Sequence, residues 1–449
     1  MKKRGQIMSK SLKAGVSITD ISPKKGIELA GYPHYSRNNT GIHDPLYASC
    51  IILDNVETKV AIVCMDLLMI SKKYVGIIRD NVEKECGIPS RNIFISCSHT
   101  HSGPLASGMI DIEAIQKGYG PDEEYVQSLI KKITNLIIDA YSHTFDAKIG
   151  IGKGICGKEK GVGGNRRDPN GVTDPDVFVI GLKDNKDDWR AFLVKYALHP
   201  TVIHEGSTLV TADYPAYIRE FLAKTKPGAH LLFAQGTSGN QSTRYFRTGQ
   251  NFDEARRIGY AIAEEANKVL DSMEFYSDID LAVSSKEINI ELKTLPSREE
   301  AEALCRERKK IYEELIASKA SYIEIQNANL ANLGAEATLA FVLNRETGKK
   351  IKLVDEELPA EIMVIKINDA CIVGLPGEFF VEFGLEIKSN SPVKNTIVIE
   401  LANGCLPGYV CTEEAYAIGG YETGASLLSA KAGEDFVKAS LDLIKNLNK

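Results

Sequence analysis

Eight histidines are spread over 449 residues, and four of them fall in two short segments where an apolar run ends. The first segment is Ser98-His99-Thr100-His101-Ser102-Gly103-Pro104, directly after the apolar run Asn92–Cys97. In an extended chain residues i and i+2 face the same way, so His99 and His101 are expected to reach one site. Imidazoles presented like this serve as metal ligands or acid–base groups, the alternative being loop histidines bonded to backbone. The second segment is Tyr196–His204, in which His199 ends the apolar run and is the better ligand. His204, next to Glu205, reads as a supporting partner or a solvated residue, and the second reading is favoured.

Three further segments carry chemistry. Leu231–Gln235 is a buried-strand pattern that runs into Gly236-Thr237-Ser238-Gly239-Asn240-Gln241-Ser242, placing hydroxyls and backbone N–H groups at a sheet edge where ligands gather. The segment nearly matches a nucleophile elbow, but Asn240 replaces the final glycine. No histidine follows His230, so a serine hydrolase of that type lacks its base. Asn165-Arg166-Arg167 emerges from a glycine-rich loop, and an arginine there can hold an oxyanion or carboxylate. Glu378 sits between apolar residues in Val373–Phe379, where a carboxylate is costly unless paired or metal-bound, or else caps a helix. Tyr409 and Tyr421 lie in a glycine-rich stretch beyond it. Gly152–Gly157 matches a dinucleotide-binding pattern but opens no helix, so it reads as chance.

These segments need elements to hold them. Strand patterns recur at Ile51–Leu53, Val60–Met65, Asn92–Cys97, Lys148–Gly152, Val177–Leu182, Ala191–Leu198 and Leu231–Gln235, then at Ile279–Leu292, Glu361–Val373 and Thr396–Leu401. Several are continuous Val/Ile/Leu runs, as expected for strands covered on both faces. Amphipathic helices are expected over Tyr74–Cys86, Glu123–Ala140, Asp253–Leu270 and Asp435–Leu447. Ser297 and Glu300 resemble a capping box ahead of a helix to Ala317, which would pair with Tyr322–Ala340 as a helical hairpin serving as scaffold. With no linker or repeat, the expectation is an α/β protein. Residues 11–449 would form one large catalytic domain of mixed sheets flanked by helices, behind a loose tail of residues 1–10 and with the hairpin inserted at about 297–345.

Composition narrows the class. Hydrophobic residues make up 43% and charged residues 25%, an ordinary globular balance, and the net charge of −6 gives no reason to seek nucleic acid or an anionic membrane. The longest apolar run, Val60–Ile70, is interrupted by Asp66 and falls short of the roughly 20 residues that span a bilayer. No apolar leader follows the basic N-terminus, and nine cysteines without a C-x-x-C pair read as reduced, mostly buried thiols. A cytoplasmic setting is the expectation.

Taken in order, the segments resemble the catalytic part of the neutral/alkaline ceramidase family. Ala14–Pro23 resembles that family's opening strand, followed by Gly31-Tyr32, Gly41-Ile42-His43, His-Thr-His-Ser-Gly-Pro, the Asn-Arg loop and the strand-end His-Pro. The Ala-Gln-x-x-x-Gly-Asn-x-Ser turn, Pro-Gly-Glu-Phe and the two tyrosines complete the series. The resemblance implies one Zn²⁺ per chain held by His99, His199, Glu378 and the phenol of Tyr409, the last unusual because phenol titrates near about 10. It implies His101, Arg166 and Tyr421 as groups that bind the substrate carbonyl and its developing oxyanion. Ser242 falls at the proposed nucleophile, leaving attack by Ser242 or by a metal-activated water as the two mechanisms. Thr243 stands where the family usually has proline. The secretory leader and C-terminal immunoglobulin-like domain of ceramide-cleaving members have no counterpart in the sequence, so the chemistry carries over better than the lipid.

The expected activity is therefore zinc-dependent cleavage of an N-acyl amide, with ceramide the family default and a small-molecule or lipid amide the partner. A hydrolase of a different ester, lactone or non-lipid amide is the second reading. A metal-stabilised binding protein without catalysis is the third.

Overall fold

The computed structural model describes residues 11–32, 35–107, 120–348 and 351–448, so the expected tail of residues 1–10 lies outside the described residues. Two mixed sheets pack face to face with helices outside both. Four strands open the chain: β1 (Lys13–Asp20), β2 (Tyr47–Asp54), β3 (Lys59–Met65) and β4 (Ile93–Cys97). Four more follow: β5 (Phe145–Ile155), β6 (Asp176–Asp184), β7 (Trp189–Tyr196) and β8 (His230–Gln235). Together they form an eight-stranded sheet in the order β8-β7-β6-β5-β1-β2-β3-β4. The second sheet has four strands in sequence order: β9 (Leu281–Ile288), β10 (Ala360–Ile367), β11 (Ala370–Gly374) and β12 (Asn395–Ile399).

The alternation of side chains explains the layers. Phe178 and Ile180 of β6 point to the shared core between the sheets, where they meet Met363, Ile365, Ile372 and Ile397 of the smaller sheet. Val177 and Val179, one residue out of phase, face helices α3 (Tyr214–Thr225) and α4 (Phe252–Ser272) on the outside. Ala61 and Val63 of β3 likewise face α1 (Lys72–Cys86) and α2 (Glu123–Ser142). Strands apolar on both faces are thus buried on both faces, and each such side chain removed from water contributes about 1.5–3 kcal/mol. The four-stranded sheet is backed by α7 (Val381–Asn390) and α8 (Ala432–Leu447).

Between β9 and β10 stands the expected hairpin, α5 (Arg298–Ala317) and α6 (Tyr322–Glu346), and both helices start with a complete capping box, Ser297/Glu300 and Ser321/Glu324. Where the sequence suggested one strand over Glu361–Val373, the chain turns back at Asn368, whose φ of +52° suits a turn, and forms β10 and β11. None of the nine cysteines is paired, and seven are buried.

Three pairs of neighbouring strands run parallel: β3 with β4, β7 with β8, and β11 with β12. Their carboxyl ends lie at one rim, where the strands release His99, His199, Ser238, Glu378 and Glu400, as expected for ligand sites in parallel sheets. The segment after β12 stitches the two sheets together there. Asn403 donates to Ile95 O at 2.8 Å, and Glu400 N–H donates to Gln235 O at 2.9 Å.

Candidate metal centre and substrate groups

Four acceptor atoms converge at this rim. His99 Nε2 lies 3.1 Å from His199 Nε2 and 3.3 Å from His101 Nε2. Glu378 Oε2 lies 3.2 Å from both His99 Nε2 and His199 Nε2. The tautomers follow from the other ring nitrogens. Nδ1 of His99 meets Leu68 O at 3.0 Å, Nδ1 of His101 meets Gly31 O at 2.9 Å, and Nδ1 of His199 meets Ser238 O at 2.7 Å. A carbonyl only accepts, so each Nδ1 carries the proton and each Nε2 presents a lone pair. Three lone pairs and a carboxylate facing one point repel unless a cation lies among them. Four donors about 2.0–2.1 Å from a tetrahedral zinc ion stand about 3.3 Å apart, which the His99–His199–Glu378 triangle matches closely. The donor set therefore fits a divalent metal, with His99, His101 and His199 a group able to hold one.

Backbone geometry makes the convergence. His99 does not continue the strand: its φ is +69°, in the left-handed region. The two histidines meet because the chain kinks at His99, and the alternation expected of an extended segment plays no part. Such a conformation costs of order 1 kcal/mol or more in a non-glycine residue and is held by its surroundings. Here His99 N–H donates to Leu67 O at 2.9 Å and the ring is fully enclosed. His101 is fixed from the far side. Arg37, buried, donates to His101 O at 2.5 Å and to Ala30 O at 2.6 Å. Gly31 has a φ of +98°, and a Cβ there would stand 2.5 Å from the His101 ring, so only glycine lets the two touch.

Glu400 lies beneath the cluster and has no access to solvent. It accepts from Ser238 Oγ at 2.6 Å, Ser238 N–H at 3.0 Å and Phe379 N–H at 2.8 Å. One carboxyl group thereby ties the residue that orients His199 to the residue next to Glu378. Burial first, then the charge of Glu378, pushes the Glu400 carboxyl well above its ordinary value.

Glu378 and Tyr409 are register partners in a short parallel ladder, so their Cα atoms are neighbours. The Tyr409 ring stands 6.0 Å from that of Tyr421 and 5.5 Å from the Arg166 guanidinium. Arg166 donates from Nε to Glu422 Oε1 at 2.9 Å while its Nη2 is buried without a partner. Ser242 pairs with Gly164 in the two-residue ladder that carries Asn165, and Arg166 N–H donates to Asn240 O at 2.8 Å. His199 N–H reaches Gln241 O at 3.2 Å, so the turn holding Ser242 is bonded to His199 on one side and to Arg166 on the other. Ser242 Oγ accepts from Arg244 N–H at 3.2 Å, and among the described residues no imidazole or carboxylate touches it.

Electrostatics keeps the rim in its metal-receptive form. Burial, then the neighbouring histidines, hold His101 well below its ordinary value. Burial, then Arg166 and His99, lower His199 to about 3. Burial opposes the charge of Glu378, and a proton on Nε2 of His99 or His199 would hold its carboxyl well below the ordinary range, the place a metal ion would take over. Burial, then Glu378, push the Tyr409 phenol well above its own against the opposing charge of Arg166.

All eight residues singled out in the sequence thus stand at one rim. Several others were not singled out: Glu400, Arg37, Glu422, Arg244 and Tyr32. Tyr32 packs between His101, at 5.0 Å, and His204, at 4.8 Å, which places His204 in the wall of the site and not on open surface. A cleft of about 680 Å³, lined among the described residues by Lys24, Glu28, Leu29, Leu105, Tyr125 and Lys132, also includes Gly31, which touches His101.

Comparison with known proteins identifies the fold and the family. The family model "neutral/alkaline non-lysosomal ceramidase, N-terminal" matches residues 12–236, half of the chain. Among solved structures, the neutral ceramidase from Pseudomonas aeruginosa superposes with a TM-score of 0.73 at 19% identity, covering 97% of this chain and 74% of that one. A structure described as a ceramidase complexed with C2 gives 0.72 at 18% identity, covering 98% and 75%. At such identities these structures share the fold, and the matched sequence model supplies the kinship: the chain belongs to the neutral/alkaline non-lysosomal ceramidase family.

Proposed function

We propose that this protein is a zinc-dependent amidohydrolase that cleaves an N-acyl amide. The observation that carries the reading is the set of three imidazoles, each with Nδ1 tied to a carbonyl, whose Nε2 atoms gather around that of His99 at 3.1–3.3 Å with the Glu378 carboxylate 3.2 Å from His99 and His199. His99, His199 and Glu378 would hold the metal, with Tyr409 the fourth ligand. When bound, zinc acts as a Lewis acid and lowers the pKa of water at the site.

The chain's own groups would do the rest. Arg166, through its buried Nη2, and Tyr421 would donate to the carbonyl oxygen as it gains charge, and His101, whose Nδ1–H is committed to Gly31 O, would join them only once its Nε2 takes up a proton; preorganised donors of this kind are typically worth about 2.7–4 kcal/mol each. Ser242 is the candidate nucleophile, held by Arg244 N–H at 3.2 Å, with no imidazole or carboxylate hydrogen-bonded to it among the described residues.

His101 Nε2, at 3.3 Å from that of His99, supports a second ligand assignment in which His101 takes the place of Tyr409. The experiment is metal analysis of wild type, His199→Ala and His101→Ala, with turnover of short and long N-acyl amides. About one zinc per wild-type chain, lost in His199→Ala and kept in His101→Ala, together with amide turnover, supports the proposal. Zinc lost in both moves His101 into the ligand set. Metal-free, folded wild type even after zinc addition, or cleavage of esters alone, overturns it. An acyl-enzyme detected by mass spectrometry and absent in Ser242→Ala would make Ser242 the nucleophile.

A further inference from the structure

The turn that follows Ser242 brings arginines to the rim in excess of the acids that could neutralise them. Arg166 and Arg167 share one carboxylate, Glu422, at 2.9 Å and 2.7 Å. Arg244 and Arg247 form no ion pair among the described residues. Arg244 donates through Nη1 to Arg166 O at 3.2 Å, and Arg247 through Nη1 to Thr201 O at 2.9 Å and Thr243 Oγ1 at 3.3 Å. All of these are neutral acceptors. His204, held below its ordinary value first by burial and paired with Glu205, also feels the charges of both Arg247 and Arg244, so Glu205 is the one acid near Arg247 among those that act on His204. Burial and the charge of Arg166 depress Arg244 itself, and the more distant Glu422 and the neighbouring Tyr245 offset this only in part.

Cations drawn out of water without a counter-charge are destabilising unless something else supplies the anion. The buried Arg166 Nη2 without a partner points the same way, since a donor hidden from water and left unmatched awaits an acceptor. Beside these groups the Tyr245 hydroxyl donates to Asn327 of α6 at 2.9 Å, so the helical hairpin reaches this side of the site.

We infer that the substrate carries a compact anion, a carboxylate or a phosphate, seated on Arg244 and Arg247 within a few atoms of the scissile amide. A planar guanidinium matches both anions in a bidentate manner, which an ammonium does not. The anion belongs beside Ser242, because Arg244 N–H donates to Ser242 Oγ and its Nη1 to Arg166 O. A neutral sphingoid headgroup leaves this charge unanswered; an N-acyl amino acid or a phosphorylated N-acyl alkanolamine answers it. The inference rests on the hydrolase reading for the placement of the amide, but not for the anion site itself.

The test uses the metal-loaded full chain. Hydrolysis of a matched set is measured: an N-acylglycine, an N-acylethanolamine phosphate and the neutral N-acylethanolamine. Binding of N-acetylglycine and N-acetylethanolamine is followed by calorimetry. The expected result is a preference of more than about tenfold in kcat/KM for one anionic substrate over the neutral one, falling at least about tenfold in Arg244→Gln and retained in part by Arg244→Lys. Which anion is preferred decides between carboxylate and phosphate. Equal turnover of neutral and anionic amides, or a preference unchanged in Arg244→Gln, overturns the inference and leaves the hydrolase standing. Arg244-dependent binding of N-acetylglycine without turnover of any amide keeps the anion site and overturns the hydrolase.

Discussion

His99 and His199 hold their Nε2 atoms 3.1 Å apart, although 100 residues separate them and each ring gives its only proton to a backbone carbonyl. Neither ring can donate to the other, so the contact is repulsive until a cation enters. Chelation is therefore expected to destabilise the protein. At a zinc concentration 100-fold above the dissociation constant, bound metal contributes about 2.7 kcal/mol, visible as a fall in Tm on chelation and its recovery on adding zinc. A Tm indifferent to chelation and to zinc would contradict this.

Glu400 touches no proposed ligand, yet it anchors Ser238 and Phe379 at once. Glu400→Ala is expected to weaken metal binding about 10–100-fold, the usual effect of losing a group that orients ligands. Glu400→Gln, which can still accept, should lose less. Competition with a zinc-sensitive dye reads both, and equal affinities in all three proteins would reduce Glu400 to a scaffold residue.

Gly31→Ala should cost activity with little effect on zinc content. The new methyl group would stand 2.5 Å from the His101 ring at a φ of +98°, so His101 must move. Displacement of about 1 Å near a reacting group can cost about 100-fold in rate. Turnover in this variant within a few-fold of wild type would mean that the His101 ring need not sit where it does.

A stability effect is expected far from the chemistry. Glu357 accepts from the backbone N–H groups of Lys72 and Cys405, and burial raises its carboxyl to about 7 from an ordinary 4.5. The folded chain therefore binds this proton more tightly than the unfolded chain does. The contribution of Glu357 is most favourable below the unfolded value and declines as pH rises through about 7, by at most roughly 3 kcal/mol. Denaturant unfolding at pH 5 and pH 7.5 should show this decline in wild type and not in Glu357→Gln; identical slopes would rule it out.

How far these features could be read from the sequence depended on how local they were. The hairpin was legible because Ser297/Glu300 is a signal within four residues, and the structure shows both hydrogen bonds of the box. Glu378 was legible because an acid amid apolar neighbours needs a reason to be there. Glu400 gave the same signal at the end of Ile397-Val398-Ile399, but its meaning depends on Ser238, 162 positions earlier, and no spacing rule links the two. His99 and His101 were paired by a strand rule that the left-handed kink at His99 does not obey. The split at Asn368 and helices α3 and α7 escaped because turn and cap signals there were short. Gly384 in α7, for one, is set by the approach of Thr237, whose hydroxyl oxygen would stand 2.1 Å from an added Cβ.

The hairpin of α5 and α6 leaves the smaller sheet at Ile288 and returns at Ala360, and those two residues are register partners on adjacent strands. Its two attachment points thus sit side by side, as the ends of an ordinary β-turn would, and its length is decoupled from the register of everything else. Gly334 of α6 packs so closely on Gly420 that a Cβ there would stand 2.5 Å from the Gly420 carbonyl oxygen, beside Tyr421. In evolutionary terms the hairpin is a cassette: descendants could lengthen, shorten or re-face it, altering which molecules reach Tyr421 and Arg244 while the histidines, set at the ends of distant strands, inherit their positions unchanged.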